Sequence, residues 1–468
     1  MRVRDLVLSV GSLGAANIIG KLCWVLSLML MMRALGPEEY GLLAAIWSLF
    51  GFIAPLTDLG LSQLLVRDGA RDPSLRAYIL RGAVACRLVI GGVAVAGMLL
   101  LSAWLDGPFS HAGWLILFVA ALPPLFDGAF QTATAVAQLE SRLVLLSACR
   151  VFGFALLPLM LLYSLFTYDN GVAAAGSYAA ASLIALLGFF VLRRNPEAST
   201  PLDSPLAFRR LARQALPFMF VSTAALAYGK LEVVAVGMIE GTAASAYYHL
   251  AYQVVLLAFS LPEVFFLAIL ANLYRVRGDV PRIERKWGPI CDLMCAYCSI
   301  VLPGLVWHAA DIVAFLGGEG FRGSAPVLWA LLPMVALLPA STSMHFLMVL
   351  DQPARRAWID LACVAITVPM VAMMTALGGV VPAAAVASAI YGAAVWVAWR
   401  VVAGMGLRLQ WLRPMGLGIL TVSPSFVCWA LPWPTWWFGA VVQAMIASLL
   451  LIGTGFIGKR HVISLLES

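Results

Sequence analysis

The stretch MMRALGPEEYGLLAAIWSLFGFIAPLTDLGLSQLLVRDGA (Met31–Ala70) closes one long apolar run, turns through Gly36 and Pro37, and opens a second run that ends at Arg67. From Gly41 to Val66 the only charged residue is Asp58. A helix needs about 20 apolar residues to cross a hydrocarbon core roughly 30 Å thick. Both runs meet that requirement, so the stretch reads as two membrane spans joined by a tight turn.

Working outward, the same reading gives fourteen spans. Six lie near 6–32, 41–66, 78–104, 112–138, 143–166 and 172–192. Six more lie near 214–239, 243–273, 288–315, 325–350, 357–377 and 381–399, and a shorter last pair near 415–431 and 436–457. Composition agrees: 62% of the chain is hydrophobic, 11% is charged, and the mean hydropathy is +0.95. A soluble domain is about 45–50% apolar and about 25% charged. A soluble surface also needs polar residues to coat it, so the excess must face lipid. The fold class expected is an all-α integral membrane protein.

The basic residues orient it. With the N-terminus in the cytoplasm, cytoplasmic ends and loops hold 24 of the 30 Lys and Arg, and the opposite loops hold only Arg33 and Arg322. This is a positive-inside pattern repeated at each loop. The net charge of +7 is therefore a topology signal, and no nucleic-acid partner is expected. MRVRD leads straight into span 1 with no cleavage motif close behind it, so span 1 reads as uncleaved. Arg193–Arg213, rich in Pro, Ser and charge, reads as a cytoplasmic linker. The organisation expected is an N-terminal lobe over 1–193, a linker over 194–213, a C-terminal lobe over 214–400, and a terminal helix pair with tail over 401–468. The two six-helix lobes would surround a central cavity. Trp429–Phe438 (WALPWPTWWF) reads as an outer aromatic belt.

A faint repeat supports the lobes. Setting Tyr40 on Tyr247 also matches Leu43 with Leu250, Ala44 with Ala251, Leu49 with Leu256, Phe52 with Phe259 and Pro55 with Pro262. Spans 1 and 7 then correspond, the arrangement of transporters whose halves rock about a central site.

Function is sought in the ionisable residues within spans. Each costs about 2.5–3.5 kcal/mol near a helix centre and usually faces a cavity or a partner. Lys21 lies 12 residues before Arg33, roughly 18 Å along a helix, and Lys230 lies 10 before Glu240, roughly 15 Å. Both are near mid-membrane. Arg87 and Arg150 are nearer the cytoplasmic side, and Arg150 has a snorkelling alternative. These four cations are the candidate binding site for an anion, most simply a phosphate or diphosphate group. Asp58, Asp127, Glu232 and Glu263 are candidate coupling or cavity acids, weighed against plain salt-bridging. Lys230 and Glu232 stand two residues apart and are poorly placed to pair with each other. No cofactor is expected beyond a coupling proton or sodium ion. No metal is expected either: Cys291, Cys295 and Cys298 share an apolar helix face and read as packing. No G-x-x-x-x-G-K-[ST] motif is present, so ATP is not the direct driver.

Met31–Ala70 resembles the signature of the polysaccharide-transporter flippases. These are the Wzx-like branch of the multidrug/oligosaccharidyl-lipid/polysaccharide exporter superfamily. That family has a similar LGPEEYG turn after span 1 and a D-x-G-L-x-x-x-L-V-R ending to span 2, here Asp58, Gly60, Leu61, Leu65, Val66 and Arg67. Its seventh span carries a basic residue, an Asp, and then G-x-x-x-G-x-Y-x-x-A. KLEVVAVGMIEGTAASAYYHLAYQV (Lys230–Val254) departs from this in having Glu232 for Asp and no Gly before Tyr247.

The resemblance implies alternating access in a bacterial inner membrane, with both termini cytoplasmic. The substrate would be an undecaprenyl-diphosphate-linked oligosaccharide, an O-antigen or exopolysaccharide repeat unit, flipped to the periplasmic leaflet. A polysaccharide polymerase and a chain-length regulator are the partners it implies. The rival readings are a lipid II-type or drug-exporting relative, and a membrane polymerase or ligase. The enzyme reading needs a large outer loop, and the outer loops here are short.

Overall fold

Gly36 adopts φ +69° and ψ 179° and breaks an otherwise continuous helix, α1 (Val3–Asp58), into two rods. Two sequence features place the break. A residue before proline avoids the α region, and only glycine enters positive φ without strain. Pro37 then starts the next rod, where its missing N–H costs nothing. In the turn that follows, the Glu39 carboxylate accepts the backbone N–H of Gly171 at the start of a distant helix. An acid at a helix N-terminus is favourable there.

The computed structural model describes residues 3–58, 60–62, 65–66, 74–102, 113–140, 142–168, 170–192, 229–275, 280–350 and 352–406, with isolated residues in 219–227 and 436–448. After α1 come α2 (Ser74–Ser102), α3 (Trp114–Leu139), α4 (Leu143–Tyr168) and α5 (Gly171–Leu192). They are followed by α6 (Lys230–Glu240), α7 (Thr242–Arg275), α8 (Val280–Trp307) and α9 (Ala309–Gly317). Last are α10 (Ser324–Ala336), α11 (Leu338–Val349), α12 (Pro353–Gly378) and α13 (Val380–Gly404), and no strand occurs among the described residues. The protein is an all-α membrane protein. Among the described residues, seven helices are long and apolar enough to cross a bilayer, or eight if the bent pair α10–α11 is one span. The first twelve expected spans each overlie described helix. The expected last pair, near 415–457, and the linker 194–213 lie outside the described residues apart from isolated positions.

The helices form two compact units. The first holds Met1–His249 with Leu316–Gly320, and the second holds Leu250–Phe315 with Phe321–Ser468. In the first, α1 is the central post, touching α2, α3, α4, α5 and α6. Tyr40, Phe50, Met31 and Met32 on α1 and Tyr248 at the start of α7 are fully buried there. On the outside, Phe166, Val191 and Leu88 stand at 88%, 75% and 73% exposure, as a lipid-facing wall requires.

In the second unit the expected span near 325–350 is two helices, α10 and α11, meeting at 53°. Pro339 is the cause, since its ring lacks the N–H that would bond the Val335 carbonyl. The Cys298 thiol donates to that carbonyl at 3.3 Å, and Cys291 lies 3.5 Å from the Thr342 hydroxyl. The cysteine face of α8 thus packs on the bend. Among the described residues no group of three His, Cys, Asp or Glu is placed to hold a metal.

The faint repeat is out of register with the helix breaks. Gly241, at φ +94° and ψ 179°, separates α6 from α7 as Gly36 divides α1. Matching these two glycines shifts the alignment by two residues from the one that pairs Tyr40 with Tyr247. In that register Tyr40 falls on Ser245, and Tyr247 is half-buried.

Candidate functional site

Five of the eight ionisable candidates fall in two separate groups within the first unit. The first group is a closed pair. α1 ends at Asp58, whose carboxylate takes the backbone N–H of Ser62 at 2.9 Å and its hydroxyl at 2.6 Å. Arg87 reaches in from α2 and places Nη2 2.8 Å from Asp58 Oδ1. Its Nε donates to Thr132 on α3 at 2.8 Å, and its Nη1 donates to Thr57 at 3.2 Å. The two side chains are 9% and 7% exposed. Charge is matched, and the pair ties together α1, α2 and α3.

The second group is unbalanced. Asp127, five residues before Thr132 on α3, accepts the Tyr178 hydroxyl at 2.6 Å through Oδ2. Among the described residues nothing hydrogen-bonds its Oδ1. Two cations act on this carboxylate electrostatically, Arg150 from α4 and Lys230 from α6. Neither makes an ion pair with it within 4.0 Å. Arg150 is exposed and lies over the rings of Phe130 and Phe154, 5.8 and 5.5 Å from their centroids. A desolvated guanidinium over aromatic faces is stabilised by their quadrupoles. Asp127, Arg150, both rings and Tyr178 line one crevice with room for about one water.

Lys230 reaches this group across α1 at Gly51. A Cβ at position 51 would stand 2.8 Å from its Nζ and 2.9 Å from its Cε. The glycine therefore makes the groove in which the lysine lies. Among the described residues Lys230 makes no hydrogen bond or ion pair. Lys21 is half-buried on α1 and likewise has no such partner among the described residues. It sits one turn from Trp24, whose ring lies 5.0 Å from that of Tyr178, so it neighbours the group without acting on Asp127.

The remaining acids lie elsewhere. Glu232 is buried and accepts the Tyr248 hydroxyl, so it and Lys230 have different surroundings although they are two residues apart. Beside it the Tyr40 hydroxyl meets Nδ1 of the buried His249 at 2.8 Å. Gly41 allows this crossing, because a Cβ there would fall 1.8 Å from the Thr242 carbonyl oxygen. Glu263 is exposed on α7 in the second unit.

Reading charges alone missed the three tyrosines. Tyr178, Tyr248 and Tyr40 each supply the hydroxyl that meets a buried ionisable group. Their only sequence signal was position within an apolar run, where a phenolic hydroxyl must find a partner.

Known proteins share this architecture. The lipid II flippase MurJ, in an inward closed conformation, superposes with a TM-score of 0.70 at 11% identity, over 95% of this chain and 99% of that one. An inward-facing multidrug resistance MATE family transporter of the MOP superfamily superposes with a TM-score of 0.67 at 14% identity, over 87% of this chain and 96% of that one. A MOP superfamily transporter from Pyrococcus furiosus, described as having a binding pocket of reverse polarity, gives 0.58 at 14% identity, over 89% of this chain and 96% of that one. A search of curated proteins found no match. The profile of the family described as polysaccharide biosynthesis protein matches residues 6–270, more than half of the chain, including both the Met31–Ala70 signature and Lys230–Val254. The chain has the fold of the MOP superfamily transporters and belongs to the polysaccharide biosynthesis protein family.

Proposed function

We propose that the protein is a flippase that moves an undecaprenyl-diphosphate-linked oligosaccharide repeat unit from the cytoplasmic to the periplasmic leaflet of a bacterial inner membrane. It works by alternating access, with ion coupling. The family supports the polysaccharide substrate class, and the fold shared with a lipid II flippase supports the lipid-linked form. The observation that carries the reading is the charge imbalance in the first unit. Lys230 is half-buried on α6 with no ion pair among the described residues, and Arg150 lines the crevice of Asp127 without pairing with it. Uncompensated positive charge in a membrane is costly, and an anionic headgroup supplies the missing partner. Lys21 adds a further cation on α1, one helical turn from Trp24.

Arg87 is not part of this site, because Asp58 already neutralises it. The same imbalance opposes export of cationic drugs. The lipid tail remains in the bilayer while the diphosphate and sugars cross.

Deleting the gene tests this directly. A lipid-diphosphate-linked oligosaccharide should accumulate on the cytoplasmic leaflet. Normal flipping with failed polymerisation would point to an enzyme instead. Unchanged oligosaccharide with impaired drug efflux would point to a drug exporter.

A further inference from the structure

The crevice beside Asp127 admits a group the size of about one water, which is also the size of one hydroxyl. The polar groups in its walls are of opposite kinds. The Tyr178 ring, packed against Trp24 and Trp47 at 5.0 and 5.6 Å, directs its hydroxyl to Asp127 Oδ2. Oδ1 is the acceptor left for whatever enters, and no donor among the described residues reaches it. Arg150 lines the same space and makes no hydrogen bond among the described residues, its guanidinium lying over the Phe130 and Phe154 rings. One small space thus offers an acceptor and several donors between aromatic walls.

That set selects its ligand. A phosphate or carboxylate oxygen takes the guanidinium donors, but it brings no hydrogen for Oδ1 and meets a like charge there. An ammonium group brings hydrogens and meets a like charge at Arg150. A neutral hydroxyl satisfies both, accepting from Arg150 and donating to Asp127. Beside the hydroxyl position the surface is apolar. Phe154 extends from the crevice to α1, where a Cβ at Gly20 would lie 3.4 Å from its ring and where Trp24 stands 6.2 Å away. Both aromatic side chains are half-buried, so each keeps some surface open. Apolar walls with a few convergent polar groups are the usual make-up of a small-molecule site, and a sugar has both a C–H face and hydroxyls to match.

We infer that the crevice is a sugar subsite, which takes one hydroxyl of a neutral hexose next to the diphosphate while the ring of that hexose rests on Phe154 and Trp24. This rests on the flippase reading and adds to it the chemistry of the first sugar. Lys21 lies between Gly20 and Trp24 on α1, so the adjoining phosphate has a cation beside the sugar. With five N–H donors, Arg150 serves the hydroxyl and keeps others for the phosphate. A sugar that presents a carboxylate to Asp127, or lacks the hydroxyl, is disfavoured.

The test is a binding titration of the purified, full-length protein in nanodiscs of phosphatidylcholine, whose headgroup carries no hydroxyl. The probes are farnesyl diphosphate alone and farnesyl diphosphate bearing glucose or galactose. In the wild type the better of the two sugars should tighten binding about tenfold, the size of a hydrogen bond to a charged group. In Asp127→Ala and in Arg150→Gln that gain should shrink to within about twofold. The gain is a ratio within each protein, so a general loss of affinity cancels. Single-deoxy versions of the better sugar, tried on the wild type, keep the inference open to refutation if the variants fail to fold. Removing one particular hydroxyl should erase the gain, because Asp127 and Arg150 are then left unpaired, and removing the others should not. Equal wild-type affinity for all three probes, a full gain in Asp127→Ala, or the same loss at every deoxy position would overturn the sugar subsite and leave the diphosphate reading intact. Binding of no probe at all would remove the flippase reading, and the subsite with it.

Discussion

Two arginines, each within the membrane and each near an aspartate on a neighbouring element, have opposite fates in this molecule. Arg87 is clasped by Asp58 at 2.8 Å and also donates to two threonine hydroxyls. Arg150 lies over two phenylalanine rings at an open crevice, shares Asp127 with Lys230, and makes no ion pair with it. A charge that is matched and enclosed holds helices together. A charge that is left over in a low-dielectric setting is available to a ligand. The distinction lies in the count and closure of partners, not in residue type.

The sharpest way to break the contrast is to remove the surplus. Lys230→Ala should abolish transport, measured by complementation of a flippase-null strain, while the protein remains folded and at normal level in the membrane. Wild-type complementation would sink the cationic site. The matched pair should respond the other way round. Arg87→Ala leaves Asp58 buried and unpaired, which costs about 3–5 kcal/mol. The expected readout is a lower unfolding temperature in detergent and less protein in the membrane. Replacing both partners with apolar residues, Arg87→Met with Asp58→Leu, should recover most of that stability, as buried pairs often tolerate. No second substitution should restore transport to Lys230→Ala. A smaller effect is expected at Gly51. Gly51→Ala puts a methyl group 2.8 Å from the Lys230 amine and must displace it. Transport should fall about tenfold with little change in stability, equivalent to about 1.4 kcal/mol. An unchanged rate would mean that the lysine's place over α1 is not the functional one.

The sequence exposed some of this and concealed the rest, for definite reasons. Gly36–Pro37 and the basic loop residues made the spans and their turns readable, because bilayer thickness imposes a length and glycine before proline imposes a break. Lys230 stood out because a lysine in an apolar run is rare. Its neighbour Gly51 did not, since a glycine in an apolar helix has many uses and only the packed structure shows which side chain crosses it. Arg87 and Arg150 look alike in sequence. What separates them is Asp58 on another helix, 29 residues away, and tertiary partners carry no local pattern. The bend between α10 and α11 was concealed although Pro339 was visible, because a proline can also be absorbed within one span. The repeat failed differently. Identities between apolar helices arise from composition, so the alignment settled two residues away from the register of the glycine breaks.

The finest cut through the comparison is Tyr178→Phe. The ring is fixed by packing, with Trp24 and Trp47 at 5.0 and 5.6 Å, and Phe keeps those contacts. Only the hydroxyl that donates to Asp127 is lost. Hydrogen bonds within membranes contribute little on average, about 0.6 kcal/mol, and more where the acceptor is charged. A loss of about 1 kcal/mol, or roughly fivefold in an equilibrium constant, is the reasonable expectation. It falls on the ionised form of Asp127, because a carboxylate is the better acceptor. Diphosphate binding should therefore change by no more than about fivefold. The matched pair offers the control. Ser62→Ala removes a hydroxyl from Asp58, which keeps the Ser62 N–H and Arg87, so stability should drop slightly and diphosphate binding should not change. A change in binding from Ser62→Ala and none from Tyr178→Phe would place the anion site at the Asp58 pair, and the roles of the two groups would be exchanged.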